Sequence, residues 1–322
     1  MKNIIFVTAV TALGAAAATS ATAQEKVMVG EPSWPGAKIM SRIIGQVIES
    51  RLGSEAGYAP GANAVIFASM DGGRGDIDVH PDVWLPNQAS FTDEYVDQKG
   101  SVALSSGSYE GRAGICVPNY MVEKHNIKSI FDLATPEAQA LFDSDGDGMG
   151  EVWVGASGWA STNTFKVRVR DYGIETFLTP TTEDETVFYS RLKDLVDQEK
   201  GAAFYCYAPH YVHALYDVTI LEEPEHDAAT YKMVQPDQDA DWYNNSHIST
   251  GEPVKTVTVA YSSSLKDRNP AAASFLSSID MSAEALSELT YEVVVKGNEI
   301  DAVVADWIAD NGGTVDTWLG LK

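Results

Sequence analysis

Short β-like runs alternating with amphipathic helical patterns predict an α/β protein. About 300 residues follow a short apolar N-terminal segment, enough for a large core divided between two compact lobes. The aromatics supply the third observation. Several stand beside Pro or Gly at the end of a predicted strand, where open α/β sheets bind their ligands.

Taken in order, residues 1–23 read as a cleaved export signal. Lys2 is their only charge, an apolar run extends from Ile4 to Ala18, and Ala21-Thr22-Ala23 fits a small-residue cleavage site. The run is too short and too alanine-rich for a membrane span. Lys26–Gly30 reads as a first strand, closed by Glu31-Pro32-Ser33-Trp34-Pro35-Gly36. Ile39, Met40, Ile43, Ile44, Val47, Ile48 and Leu52 then recur at helical spacing. Ala64–Ala68 reads as the next strand, and Trp84, between Pro81 and Pro86, reads as an aromatic on a stiff loop. Ala113–Val117 suits a strand leaving the first lobe. Short helices follow at Asn126–Leu133 and Pro136–Phe142, and an apolar strand from Val152 delivers Gly158-Trp159.

A helix is expected over Asn163–Tyr172. Thr182 with Glu185 forms a capping-box pattern for a helix ending near Gln198. The tyrosine-rich run Ala202–Tyr211 is a strand with a proline break, and Asp217–Leu221 a crossing strand. Glu222–His247 is polar and irregular, and Thr256–Tyr261 is a strand. Asn269-Pro270 and Ser282 start helices, and Ile300, Val303, Val304, Trp307 and Ile308 give the last helix one apolar face. Crossings near residues 112 and 215 would assign 26–112 plus 216–322 to lobe 1 and 113–215 to lobe 2.

Asp and Glu outnumber Lys and Arg 46 to 22, a formal charge of −24. Such a surface repels nucleic acid and anionic lipid heads and tolerates cationic or zwitterionic solutes. Familiar catalytic motifs are missing: no Gly-x-Ser-x-Gly elbow, His-Glu-x-x-His, phosphate loop or Cys-x-x-Cys occurs. His210 and His213 lie three apart without a third ligand. Cys116 and Cys206 each sit in an apolar strand-like run, compatible with a disulfide or with two buried thiols.

The most specific local signal is the run Asp143-Ser144-Asp145-Gly146-Asp147-Gly148-Met149-Gly150-Glu151. With Asp143 first, Asp145, Asp147, the Met149 carbonyl and Glu151 fall at positions 3, 5, 7 and 9, and Gly148 supplies the turn at 6. Position 12 is Val154, and a strand follows, so this is an EF-like loop in another setting. Four carboxylates so close repel unless neutralised, which gives a structural Ca²⁺ its rationale. The alternative is a solvated acidic turn.

Most of the 7 Trp and 14 Tyr belong by default to core or surface. Trp307 continues an apolar helix face, and Trp153 suits core or site. Trp34, Trp84, Trp159 and Tyr207 differ, because each adjoins Pro or Gly at a predicted strand end. Rings so placed form a cage for a methylated ammonium, each worth ~0.5–1 kcal/mol exposed and ~2 or more desolvated.

Glu31-Pro32-Ser33-Trp34, Gly75-Asp76-Ile77-Asp78, Trp84-Leu85-Pro86, Gly158-Trp159 and Phe204–Tyr211, in this order across nearly the whole chain after the export segment, resemble the glycine-betaine/choline-type substrate-binding proteins of ABC importers. The resemblance implies a two-lobe periplasmic binding fold (type II) with its ligand cleft between the lobes. It also implies an exported periplasmic monomer, not an enzyme, that delivers a small methylated amine to a membrane permease. Where betaine binders commonly carry Trp, this chain has Tyr207 and Tyr211. Its aspartate loop is closer to the trimethylamine N-oxide (TMAO) binders of marine bacteria, which favours TMAO over glycine betaine, choline or proline betaine. TMAO offers three methyls to the rings and one basic oxygen that needs a donor. Tyr205, Tyr207 or a protonated Glu31 would serve, although Glu31 equally suits a surface or capping carboxylate. A secreted enzyme acting on methylated amines would need a cofactor motif, and none is evident.

Overall fold

The computed structural model describes residues 25–321, so the predicted export segment lies outside the described residues. Twelve strands are described: β1 (Val27–Glu31), β2 (Ala56–Pro60), β3 (Val79–Leu85), β4 (Val102–Leu104), β5 (Tyr109–Pro118), β6 (Gly150–Trp153), β7 (Leu178–Thr181), β8 (Ala203–Ala208), β9 (Val218–Ile220), β10 (Tyr231–Lys232), β11 (His247–Ile248) and β12 (Lys255–Ser262). Ten join one continuous sheet in the order β2-β1-β3-β12-β5-β8-β6-β7, with β4 on β12 and β9 on β5. The remaining two, β10 and β11, pair antiparallel by themselves.

The long strand β5 makes this one path through two lobes. Its first residues, Tyr109–Gly111, pair with β12 of lobe 1, and Arg112–Cys116 pair with β8 of lobe 2. Between Gly111 and Arg112 the strand switches its pairing partner from β12 to β8. The return differs from the expected position near 215. Strand β9 still pairs with β5 of lobe 2. Arg168, on the lobe-2 helix Ala160–Asp171, holds Glu223, Glu252 and the Thr250 carbonyl. Residues 216–252 thus pack on lobe 2, and the chain returns to lobe 1 between Glu252 and Lys255.

Sequence periodicity accounts for the principal helices. Pro35–Val47 starts with Pro at its first turn and buries Ile39, Met40, Ile43, Ile44 and Val47 at 0–1% exposure. Each such burial contributes about 1.5–3 kcal/mol. In lobe 2, Pro136–Phe142 is capped by the Thr135 hydroxyl, and Glu185–Asp197 by Asp184 rather than by Thr182.

Two expectations change character. Ala64–Ala68 lies in a helix, Asn63–Gly72, because Ile66, Phe67 and Met70 bury one helical face and Gly73 closes it in a left-handed conformation. A short apolar run cannot by periodicity alone be told from a buried helix segment. Trp84 is in β3, not on a loop. Pro81 cannot donate to the ladder, and the pairing of β3 with β12 shifts register there, setting Pro81 and Asp82 against Val259 alone. Beyond that bulge, Asp82 and Trp84 fall on the same face of the strand.

Trp153 and Trp318 are core residues, whereas Trp307 is only half-buried at the edge of its cluster. Cys116 and Cys206 form a disulfide between β5 and β8, closing a sequence separation of 90 residues. Cross-linking a segment of that length restricts the unfolded chain most. The double variant Cys116→Ala/Cys206→Ala is expected to lose about 2–4 kcal/mol in urea unfolding. An unchanged midpoint and slope would contradict this.

Candidate ligand pocket

The candidate site is assembled from strand ends. Trp34 follows β1 and leads into the helix Pro35–Val47, Trp84 is the penultimate residue of β3, Trp159 leads into Ala160–Asp171, and Tyr205 and Tyr207 belong to β8. The structure brings all five around one pocket, with Asn63, Asn87, Gln88, Ala160 and Ser161 completing the wall. The room inside for the centre of a water-sized sphere is about 30 Å³, enough for about two waters. All five aromatic residues are at most 7% exposed.

The rings meet across the two lobes. Trp34 stands edge-on to Trp159 at 6.0 Å (83°), and Trp84 to Tyr207 at 5.4 Å (84°). Trp159 is also edge-on to Tyr207 at 6.2 Å (86°). Such an arrangement turns some faces toward a common space instead of stacking them away. A cross-lobe hydrogen bond adds to it, with Trp159 Nε1 donating to Ser33 Oγ at 2.9 Å. Trp159 is backed by Trp153, whose own ring stacks on Phe188 at 4.3 Å. Gly111 is required beside the cage, since a Cβ there would lie 2.6 Å from Trp84 Cζ3.

Two buried carboxylates, Asp82 and Glu185, fix the rings. Asp82 Oδ2 accepts from Trp34 Nε1 (2.5 Å) and Trp84 Nε1 (2.9 Å), while Oδ1 accepts from the Tyr109 hydroxyl (2.5 Å). Burial pushes the Asp82 carboxyl up from the usual range, and these three donors pull against that shift. Neighbouring His80, buried and hydrogen-bonded to Asn63 Oδ1 at 2.9 Å, is driven down to about 3 by desolvation and stays neutral. On the other side, Glu185 Oε1 accepts from the Tyr207 hydroxyl at 2.9 Å. Burial, with Glu185 beside it, pushes that phenol far up, so Tyr207 remains a neutral donor.

One end of the pocket is polar without being cationic. Gln88 is 3% exposed and its Oε1 has no protein partner. Asn87 Oδ1 accepts from Lys255 Nζ at 2.9 Å. Ala160 and Ser161 open a helix that has no side-chain cap, so its first-turn N–H groups form a ready donor set for an oxygen. Behind Asn87, Lys255 is ion-paired to Glu252, which also takes Arg168 Nε at 2.9 Å. Burial alone would raise Glu252, but Lys255 and Arg168 outweigh it and hold the carboxyl below its ordinary value.

The other predicted residues lie elsewhere. Glu31 is not in the pocket wall. It lines the outer groove, with Ser33, Lys38, Gly158 and the outer sides of Trp34 and Trp159, and forms an ion pair with Arg42 at 2.9 Å. The aspartate loop is a separate feature before β6. There the carboxylates of Asp143, Asp145, Asp147 and Glu151 offer oxygens within 4.8 Å of one another. Gly146 and Gly148 turn the loop at positive φ, and Met149 N donates to Asp147 Oδ1 at 2.8 Å.

Comparison with known proteins follows from this architecture. Residues 25–310 match the family described as the substrate-binding domain of the ABC-type glycine betaine transport system. The chain belongs to that family. A relative from Escherichia coli K12, the glycine betaine/proline betaine-binding periplasmic protein, is 20% identical over 213 residues, or 64% of this chain and 63% of that one. The match thus spans less than two thirds of that relative. Among solved structures, the glycine betaine/L-proline-binding protein ProX of Borrelia burgdorferi superposes with a TM-score of 0.72 at 16% identity, covering 91% of this chain and 96% of that one. Lactococcal OpuAC, closed on glycine betaine, gives 0.69 at 19% over 92% and 99%. A choline-binding protein in complex with choline gives 0.70 at 17% over 92% and 91%. The shared fold is the mixed α/β periplasmic binding protein fold. No helix among the described residues is long and apolar enough to cross a membrane.

Sequence reasoning passed over Asp82, Asn63, Asn87, Gln88, Ser161 and Glu185. For Asp82 a signal existed, since it stands two residues before Trp84 and a strand puts both on one face. Asn87 and Gln88 directly follow Trp84-Leu85-Pro86. Glu185 gave no such signal, because a helix-start role already accounted for it.

Proposed function

We propose that the protein is the periplasmic substrate-binding component of an ABC importer, taking a small methylated ammonium solute, TMAO first, into the aromatic pocket. The observation that carries this is the meeting of rings from both lobes, Trp34 and Trp84 with Trp159, Tyr205 and Tyr207, around one small space. Methyl groups carrying partial positive charge would face the rings by cation–π attraction, worth ~2 kcal/mol or more per desolvated ring. The ligand oxygen would face the polar end, where Gln88, Asn87 and the first-turn amides at Ala160 and Ser161 are available. A ligand bridging both walls favours the closed arrangement of the lobes, the state a permease would recognise.

Two features support TMAO over glycine betaine. The space is small, and no Arg or Lys is among the residues lining it. A carboxylate would be better served by a cationic fork, whereas a single N-oxide oxygen needs one or two neutral donors. Glycine betaine, proline betaine and choline share the trimethylated or dimethylated ammonium and are the competing ligands within the same importer class.

We also propose that the aspartate loop holds a structural Ca²⁺. Its donor set is all oxygen, and the mutual separation of the carboxylates suits ligands placed about 2.3–2.6 Å from one ion. Bound there, the ion would neutralise the clustered charge and fix the loop that enters β6, and through Trp153 the back of Trp159.

Isothermal titration with TMAO, glycine betaine, choline and carnitine tests the binding claim. TMAO should bind at about micromolar Kd, and Trp159→Ala should weaken it at least about tenfold in protein that remains folded. Absence of binding by all four below about millimolar would sink the reading. Chelation of calcium should lower the thermal midpoint by several degrees while leaving ligand affinity within about threefold, as stabilisation by mass action requires. A melting curve indifferent to chelator and to added Ca²⁺ would refute the metal site.

A further inference from the structure

The carboxylate side chains of Asp78, Asp82, Glu185 and Glu252 are at most 5% exposed, and Glu252 is ion-paired with Lys255 and Arg168. Asp78 is ion-paired with Arg268, and Glu185 lies 2.9 Å from His210 Nε2. Asp82 differs. Its partners are two indoles and a phenol, all neutral, and no cationic side chain is paired with it. A buried charge without a counter-charge is strongly disfavoured in a protein interior. Both indoles that it holds are walls of the pocket, and it sits directly behind them.

We propose that Asp82 is the anion of the cage: it pins Trp34 and Trp84, and its charge makes the pocket prefer a methylated cation to a neutral molecule of the same shape. The inference rests on the reading that the pocket takes a methylated ammonium, and it adds the residue that enforces ligand charge. Asp82 acts through the two indoles and is a positioning and charge-selecting residue, not a direct ligand contact. Polarisation follows the same direction, since an indole whose N–H donates to a carboxylate has a more electron-rich face. Burial pushes the Asp82 carboxyl up, and the three neutral donors only partly offset that push. A trimethylammonium group in the pocket supplies the missing positive charge.

The experiment compares choline with 3,3-dimethylbutan-1-ol, its neutral isostere, in the wild-type protein and in Asp82→Asn. The asparagine keeps an oxygen acceptor for both indoles and removes the charge. Choline affinity should fall on the order of tenfold or more, while affinity for the alcohol changes by less than about threefold. Asp82→Glu, which restores the charge, should recover most of the preference for choline. Equal weakening of both ligands, or no change in either, overturns the proposal. Failure of the wild-type protein to bind any methylated ammonium instead overturns the functional reading on which it rests. Should Asp82→Asn not fold, the wild-type ratio of choline to alcohol affinity is followed from about pH 7 to about pH 4. The titratable groups facing Asp82 are Tyr109 from β5 and His80 on its own strand. Burial holds Tyr109 far up and His80 down to about 3, so neither changes charge in that window. Protonation of Asp82 then lowers the ratio as pH falls, and a flat ratio overturns the proposal.

Discussion

Aromatic rings from separate lobes form a pocket only if each is held with a face toward the gap, and here that constraint is met by hydrogen bonds to the ring edges. Trp34 and Trp84 share one oxygen of Asp82, Tyr207 donates to Glu185, and Trp159 donates to Ser33 across the cleft. Left free, such rings would stack on one another and close the space. Holding them by their polar edges keeps the π faces available and removes most of the ordering entropy from the binding step. Strand alternation in β3 belongs to the same design, because it sets Asp82 and Trp84, two residues apart, on a common face.

A second constraint concerns the connection between the lobes. Strand β5 passes from one half-sheet to the other without a break, and the return chain passes through Glu252 and Lys255. Here a buried polar chain runs from Asn87 in the pocket wall through Lys255 and Glu252 to Arg168 and Glu223 on lobe 2. Removing one member of such a chain strands a charge in the interior, so its members act as a unit. The chain joins the polar end of the pocket to the point where the two lobes are linked.

Much of this was legible in the sequence. Strand ends carrying Trp34, Trp159 and Tyr207 were readable because Gly and Pro punctuate them, and the helix Pro35–Val47 because Ile39, Met40, Ile43, Ile44 and Val47 recur at helical spacing. The helix at Asn63–Gly72 was not, since a short apolar run has no decisive period. Strand β2, built from Ala56-Gly57-Tyr58-Ala59-Pro60, contains no β-branched residue and is specified by pairing with β1 instead. Long-range partnerships were the least visible. Nothing local in the chain shows that Glu185 meets Tyr207, that Arg168 meets Glu252, or that Glu31 is engaged by Arg42 rather than by a ligand. The pairing of Cys116 with Cys206 likewise depends on β5 and β8 being neighbours, a fact of topology.

The claim on which the account depends is that the methyl groups of the ligand sit inside the ring of Trp34, Trp84, Trp159 and Tyr207. Proton NMR of the N-methyl resonance of TMAO bound to the protein tests it directly. Enclosure by ring faces predicts a bound signal shifted clearly upfield of the free ligand by the ring currents. A bound methyl signal at the free position, with binding otherwise demonstrated, would place the ligand outside the cage and contradict the account.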